Sequence, residues 1–246
     1  MAAVEGITEF LPISSTGHLI LASRLMGITA TEFVKSFEIA IQLGAIAAVG
    51  WMYRKDLTNN GKLWTVIGAA FVPTMILGVI FYSPVKMFLL GNTTVTLAAL
   101  FGGGLVLIAF EKMVKERNKT MADLNWQTAG MVGLAQAVSM VPGVSRAAAT
   151  IIGAMAAGLS RKEAVKFSFL LAIPTMAAAT GLDLVKSGWA FSAGEWGMMG
   201  LGFTGAFVTA WITVKIFIKY VQKNTLQYFG VYRLVLAILF WGWVSR

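Results

Sequence analysis

The chain has 246 residues, 57% of them hydrophobic and 13% charged, and its mean hydropathy is +0.75. Soluble globular domains carry about 25% charged and about 45–50% apolar residues, so this composition points to a membrane protein and excludes a disordered chain or a coiled coil. With no cysteine, a disulfide scaffold, thiolate metal sites and cysteine nucleophiles are excluded as well.

The first stretch, 1–26, is apolar but cut by Pro12-Ile13-Ser14-Ser15-Thr16-Gly17. Its halves, at about 10 to 12 residues, fall short of the roughly 20 needed to cross the hydrocarbon core. It therefore reads as a re-entrant helical hairpin, whose broken backbone must be buried in protein or line a wet cavity. It lacks a basic start, and Glu5 and Glu9 interrupt it, so it does not read as a cleavable signal. Spans are predicted at 33–53, 63–82 and 93–110. A second broken stretch, 126–159, is cut by Pro142-Gly143-Val144-Ser145-Arg146 and predicts a second hairpin, followed by spans at 163–185, 196–218 and 228–244. The expected fold is an all-α polytopic membrane protein, a single domain over 1–246, with six transmembrane helices plus two re-entrant hairpins.

The two hairpins are related. A shift of 130 places Pro12 on Pro142, Ser15 on Ser145 and the span from Phe37 to Val49 on Phe167 to Ala179. At nearly the same offset Glu32, Val34 and Lys35 fall on Glu163, Val165 and Lys166. Three spans separate the copies, so the second enters from the opposite face. The expectation is an inverted-topology repeat, one copy about 1–110 and the other about 126–244, with both breaks near the bilayer midplane.

The net charge of +9 sits mostly in short loops, where topology and anionic headgroups account for it better than nucleic acid does. No nucleic-acid partner is expected. Loops 54–62, 111–125, 160–166 and 219–227 hold twelve Lys and Arg, against five (Arg24, Lys35, Lys86, Lys186 and Arg246) on the other side. The positive-inside rule puts the richer side in the cytoplasm and opens the first hairpin to the outside.

Ionisable groups at membrane depth are costly and suggest function. Glu5 and Glu9, four apart, share one helix face; two carboxylates that close favour a bound divalent cation or one protonated partner, and oxygen-only ligation suits Mg²⁺ or Ca²⁺ better than zinc. The plainer reading is a carboxylate pair hydrogen-bonded to hydroxyls and backbone. Ser14, Ser15 and Thr16 place three hydroxyls where the next half-helix starts, with His18, the sole histidine, three residues after Ser15. A Ser/Thr run there can equally be an N-cap. In the second hairpin Gly143 would let backbone approach a ligand, Ser145 and Thr150 supply hydroxyls, and Arg146 offers a planar fork suited to phosphate oxygens. A salt bridge from Arg146 to Glu5 or Glu9 across the repeat is its structural alternative. Pooled, the hairpins make a site for a phosphorylated substrate, with or without a metal.

Glu5-Gly-Ile-Thr-Glu9-Phe-Leu-Pro-Ile-Ser-Ser-Thr-Gly-His18 resembles the Glu-rich first motif of the bacterial undecaprenyl-diphosphatase family, also called bacitracin-resistance proteins. Pro142-Gly-Val-Ser-Arg-Ala-Ala-Ala-Thr150 resembles its second motif, with Ala147 where the family pattern has a serine. The likeness extends over essentially the whole chain, through Phe167-Ser-Phe-Leu-Leu-Ala-Ile-Pro174 and Phe229-Gly-Val-Tyr-Arg233.

The resemblance implies hydrolysis of the lipid carrier undecaprenyl diphosphate to its monophosphate and inorganic phosphate at the outer face of the bacterial plasma membrane, recycling the carrier for cell-wall synthesis. On that basis Arg146, Ser145, Ser14, Thr16, Gly143 and Thr150 would meet the substrate. Glu5 and Glu9 would hold a divalent cation, or Glu9 would act as a base. Ser15 would be the nucleophile with His18 as its base; His18 itself or a directly activated water are the alternatives. The partners expected are a polyprenyl diphosphate and membrane lipids. The rival class is a secondary transporter or flippase for a phosphorylated lipid or anion, which shares inverted repeats and broken helices but needs no nucleophile beside a base. Glu38 and Gln42, one turn apart, read as partners of the hairpin or as ordinary interhelical hydrogen-bonding residues. Arg233 reads as snorkelling from the last span, and Trp51, Trp126, Trp189, Trp241 and Trp243 as interfacial anchors. Phe101-Gly102-Gly103-Gly104 and Gly200-Leu-Gly202 permit close helix packing within the chain or in a homodimer.

Overall fold

A computed structural model describes residues 1–29, 31–89, 92–115, 117–187 and 191–244. Trp189 and Arg246, and the side chains of Lys86 and Lys186, lie outside the described residues. Eleven α-helices account for most of them: α1 Ala2–Thr8, α2 Ser15–Leu25, α3 Glu32–Met52, α4 Arg54–Asn59, α5 Gly61–Pro84, α6 Thr93–Met113, α7 Trp126–Ala137, α8 Arg146–Ala156, α9 Arg161–Ser187, α10 Ala193–Val221 and α11 Gln227–Val244. Among the described residues, β pairing is confined to a single bridge, Lys119 to Leu159.

Five helices, α3, α5, α6, α9 and α10, are long and apolar enough to cross a membrane, as a multi-pass membrane protein requires. Four of them cover their predicted spans in full, α3 ends at Met52, one residue short of its own, and α11 covers the sixth predicted segment with a run of 18 residues. Helix starts follow local chemistry. Side chains of Thr31, Asn60, Asn92, Asn125 and Ser145 accept hydrogen bonds from backbone N–H groups three residues on, satisfying donors that a helix start leaves free.

Both predicted breaks are present. Helix α1 ends at Thr8, and α2 starts at Ser15 after a turn containing Pro12, with Ser14 at a positive φ of 70°. Helix α7 gives way to a short 3₁₀ turn over Val138–Met140, and α8 starts at Arg146. The first half-helix, at 7 residues, is shorter than predicted.

The four loops expected to share one side meet there. Arg161 makes a bidentate ion pair with Glu111 (3.0 and 2.8 Å), which also accepts from the backbone N–H of Leu226 (3.0 Å). Lys166 pairs with Asp56 at 3.2 Å, and Lys62 donates to the Ala122 carbonyl at 2.5 Å. These bonds tie together segments 54–62, 111–125, 160–166 and 219–227.

The core runs through the middle of the bundle, with Phe10, Phe167, Phe169 and Phe217 fully or almost fully buried; the Phe169 ring meets Phe10 edge-on and Phe217 at a tilt. Elsewhere contact is made through glycine. At Gly44 of α3 an added Cβ would overlap the Phe203 carbonyl of α10, and Gly103 and Gly104 admit α11. The glycine stretches singled out in the sequence thus serve packing within the chain: Gly202 meets Phe37 and Ile41, whereas Gly102 and Gly200 face open space. Gly44→Ala is expected to cost about 1–3 kcal/mol by overpacking, measured as a lower Tm of the detergent-solubilised protein. Trp51, Trp126, Trp241 and Trp243 are exposed at helix ends.

Candidate active site

Phe10 is fully buried against Phe169, which anchors the end of the first half-helix and carries the neighbouring Glu9 to the point where the two breaks face each other. Glu9 is itself almost fully buried, and both its oxygens are engaged. Oε1 accepts from Arg146 Nη2 at 2.9 Å, and Oε2 accepts from Ser15 Oγ at 2.5 Å. The guanidinium is oriented by a second bond, Nη1 to the Ser168 carbonyl at 2.9 Å, and lies 5.8 Å over the Phe10 ring. The ion pair offered as the structural alternative for Arg146 therefore exists, and its carboxylate is the one that also holds Ser15.

Ser145 makes a further link between the hairpins. Its Oγ caps α8 through Ala148 N–H (3.1 Å) and donates to the Leu11 carbonyl at 3.4 Å. The N-termini of α2 and α8 thus flank the same spot, each bringing free N–H groups and the positive end of a helix dipole.

A cavity of about 170 Å³ opens there, lined by Glu9, Ser14, Ser15, Thr16, Ser145 and Arg146 together with Gln42, Ser139, Val144, Met176 and Ala179. Six of the predicted residues therefore share one polar cavity. Four lie elsewhere. Thr150 is buried behind the site, donating to Gln136 Oε1 and the Arg146 carbonyl, and Gln136 continues to Thr74 and Thr175. Gly143 makes its close approach not to the cavity but to α6, where a Cβ would overlap the Thr96 carbonyl, and its φ of 94° favours glycine. Glu5 is fully buried beside Glu9, and neither of its oxygens has a donor. Glu38 and Arg146 also act on it electrostatically.

His18 does not reach Ser15. Its Nδ1 lies 2.8 Å from the Ser14 carbonyl, and its Nε2 lies 2.7 Å from the Tyr232 hydroxyl. A carbonyl only accepts, so Nδ1 carries the proton and Nε2 of the neutral ring accepts from the tyrosine. The two rings are nearly parallel, at 7°.

Sequence reasoning passed over Tyr232 and misjudged its neighbour. Arg233 does not snorkel. It is fully buried, and its guanidinium donates to four backbone carbonyls, those of Pro12, Ala99, Leu100 and Gly143. An arginine inside an apolar run was the available signal.

The family model for bacitracin resistance protein BacA matches residues 1–239. Curated relatives cover nearly the full length. The undecaprenyl-diphosphatase of Aquifex aeolicus is 48% identical over 243 residues, 98% of this chain and 94% of that one. Those of Persephonella marina and Wolinella succinogenes are 44% and 43% identical over the same length, covering 98% of this chain and 95% and 94% of their own.

Proposed function

The chain belongs to the bacitracin resistance protein BacA family, and on that premise we propose that it hydrolyses undecaprenyl diphosphate to undecaprenyl phosphate and inorganic phosphate. The observation that carries this reading is the Glu9 carboxylate held between the Ser15 hydroxyl and the Arg146 guanidinium at the mouth of two half-helices. A carrier of anionic lipid has no need of a hydroxyl hydrogen-bonded to a carboxylate.

In the reaction so assigned, Ser15 Oγ attacks the terminal phosphorus while Glu9 takes its proton. The new Oγ–P bond forms as the bridging P–O bond breaks, and undecaprenyl phosphate leaves with the electron pair. Water then attacks the phosphoserine phosphorus, the Oγ–P bond breaks, Ser15 Oγ takes back a proton from Glu9, and inorganic phosphate leaves carrying the oxygen of the water. Arg146, its other donor fixed on Ser168, and the N–H groups at the starts of α2 and α8 meet the charge that develops on the phosphoryl oxygens. Ser14, Thr16 and Ser145 line the same space as hydroxyl donors. His18, engaged by Ser14 and Tyr232, serves by holding the Ser14–Ser15 turn.

The donor set also fits a hard divalent cation. Glu5 offers two buried oxygens with no donor next to the carboxylate of Glu9. Among the described residues no group of three carboxylate or imidazole ligands converges, and Mg²⁺ is commonly held by one or two carboxylates plus substrate phosphates. Glu5 and Glu9 would hold the ion, which when bound neutralises phosphate charge.

The same reading takes α1–α2 and α7–α8 as re-entrant hairpins, and α11 with the five long helices as six spans. Supporting an inverted pair of repeats, about 1–110 and 126–244, is a reciprocal exchange of partners: α1 packs on α10 as α7 packs on α5. The lysine- and arginine-rich loops then lie in the cytoplasm, and the site opens to the outer face of the plasma membrane.

The test is phosphate release from undecaprenyl diphosphate by purified protein in detergent, with Mg²⁺, with Ca²⁺ and with chelator, beside Arg146→Ala. The active protein should lose release in chelator, and the variant should fall about 10²–10³-fold in kcat, the usual loss for one donor to a developing oxyanion. No release from folded protein overturns the reading.

A further inference from the structure

Arg233 sits on α11 outside the cavity lining, yet its side chain touches both breaks at once. Nη1 donates to the Pro12 carbonyl at 3.4 Å, and Nη2 to the Gly143 carbonyl at 3.1 Å. Nε and Nη2 also reach the carbonyls of Leu100 and Ala99 on α6, both at 3.2 Å. None of these four partners is a carboxylate. A buried cation with only carbonyls around it is expensive to desolvate, and an apolar side chain would fill the space more cheaply. What the guanidinium supplies is a planar fork of donors, which reaches from α6 to the Pro12 and Gly143 carbonyls that the interrupted helices leave without helical partners.

The positions of those carbonyls matter. Pro12 stands three residues before Ser15, and Gly143 three residues before Arg146. Ser15 and Glu9 come from one hairpin and Arg146 from the other, so the separation of the two turns sets the geometry of the constellation. The adjacent Tyr232 reaches the first hairpin a second time, through His18 Nε2. The passage is made by Gly103, where a Cβ would collide with the guanidinium.

We infer that Arg233 is a positioning residue of the phosphatase site: its fork pins both breaks to α6 and holds Ser15 and Glu9 in register with Arg146. This rests on the hydrolytic reading above.

Two variants test it. Arg233→Lys keeps the charge but replaces the fork with a point donor, and Gly103→Ala pushes the guanidinium aside while leaving it in the chain. Turnover, KM and Tm are measured for each. The chain has no cysteine, so a cysteine pair at Leu25 and Leu134, both exposed and one on each hairpin, can carry spin labels. The expected result is a fall in kcat of about 10²-fold, the cost of a misplacement near 1 Å, with KM changed less than about threefold and a broadened inter-label distance distribution. Folded variants with wild-type kcat and an unchanged distribution would overturn the inference, whatever happens to Tm. If Arg233→Lys fails to fold, Gly103→Ala decides. Should the wild type itself release no phosphate, the hydrolytic reading falls, and the distance distribution alone judges the positioning role: broadening supports it, and no change overturns it.

Discussion

Ser15→Ala is expected to lower kcat on the order of 10⁴-fold or more, in line with the loss of a nucleophile from a serine hydrolase, while leaving the fold intact. Ser15 opens α2 and lines the cavity, so deleting one oxygen there creates no buried void. Its hydroxyl is one of two groups on Glu9, and the other, Arg146, stays. The variant should therefore melt near wild type, and steady-state phosphate release separates the models. A covalent route predicts near-complete loss together with a phosphoserine that can be trapped on the wild-type chain by acid quench and mass measurement. If Ser15→Ala retains wild-type turnover, Glu9 activates a water and Ser15 is only its hydrogen-bond donor. The outcome also bears on His18. Both of its ring nitrogens are taken by Ser14 and Tyr232, so a histidine-nucleophile route requires the imidazole to leave a stacked and doubly bonded position.

Much of this architecture is legible in the chain because the signals are local. Hydropathy and the length of a helix that crosses hydrocarbon locate the long helices to within about three residues, and Pro12 and Pro142-Gly143 mark where helices must break. The six predicted residues that line the cavity all lie within a few positions of those breaks. What was not legible depends on pairing at long sequence separation. That Glu9 rather than Glu5 meets Arg146 is decided by Glu9 standing at the end of α1, next to the break, and by the burial of Phe10, neither visible in a four-residue spacing. Thr150 carries a hydroxyl in a motif that reads as phosphate-binding, yet Gln136 and its own helix take that hydroxyl. Gly143 was expected to clear room for a ligand, but the backbone that comes close is α6. Arg233 looked peripheral because it follows closely on the polar loop before α11. Only the packing of α11 on α6 through Gly103, Gly104 and Gly230 turns it inward.

Glu9→Gln is expected to lower kcat by about 10²–10⁴-fold, the usual contribution of a positioned general base. Glutamine is nearly isosteric and keeps one oxygen for Arg146, but its amide cannot take the proton from Ser15 Oγ. The substitution also leaves a guanidinium in a buried place without its carboxylate, and removing one partner of a buried ion pair costs about 3–5 kcal/mol. A lower Tm is therefore expected alongside the loss of rate, and by itself it would not separate chemistry from architecture. The double variant Glu9→Gln with Arg146→Met does. Replacing both members of a buried pair with neutral groups is often neutral or stabilising, so the double variant should recover much of the melting temperature while phosphate release stays at or below that of either single variant. Glu9→Asp gives the complementary arm: it keeps the charge, retracts the carboxylate by one methylene, and should retain partial activity. Recovery of both Tm and turnover in the double variant would make the Glu9–Arg146 pair a structural strut between the hairpins, and the proton acceptor for Ser15 would then lie elsewhere in the cavity.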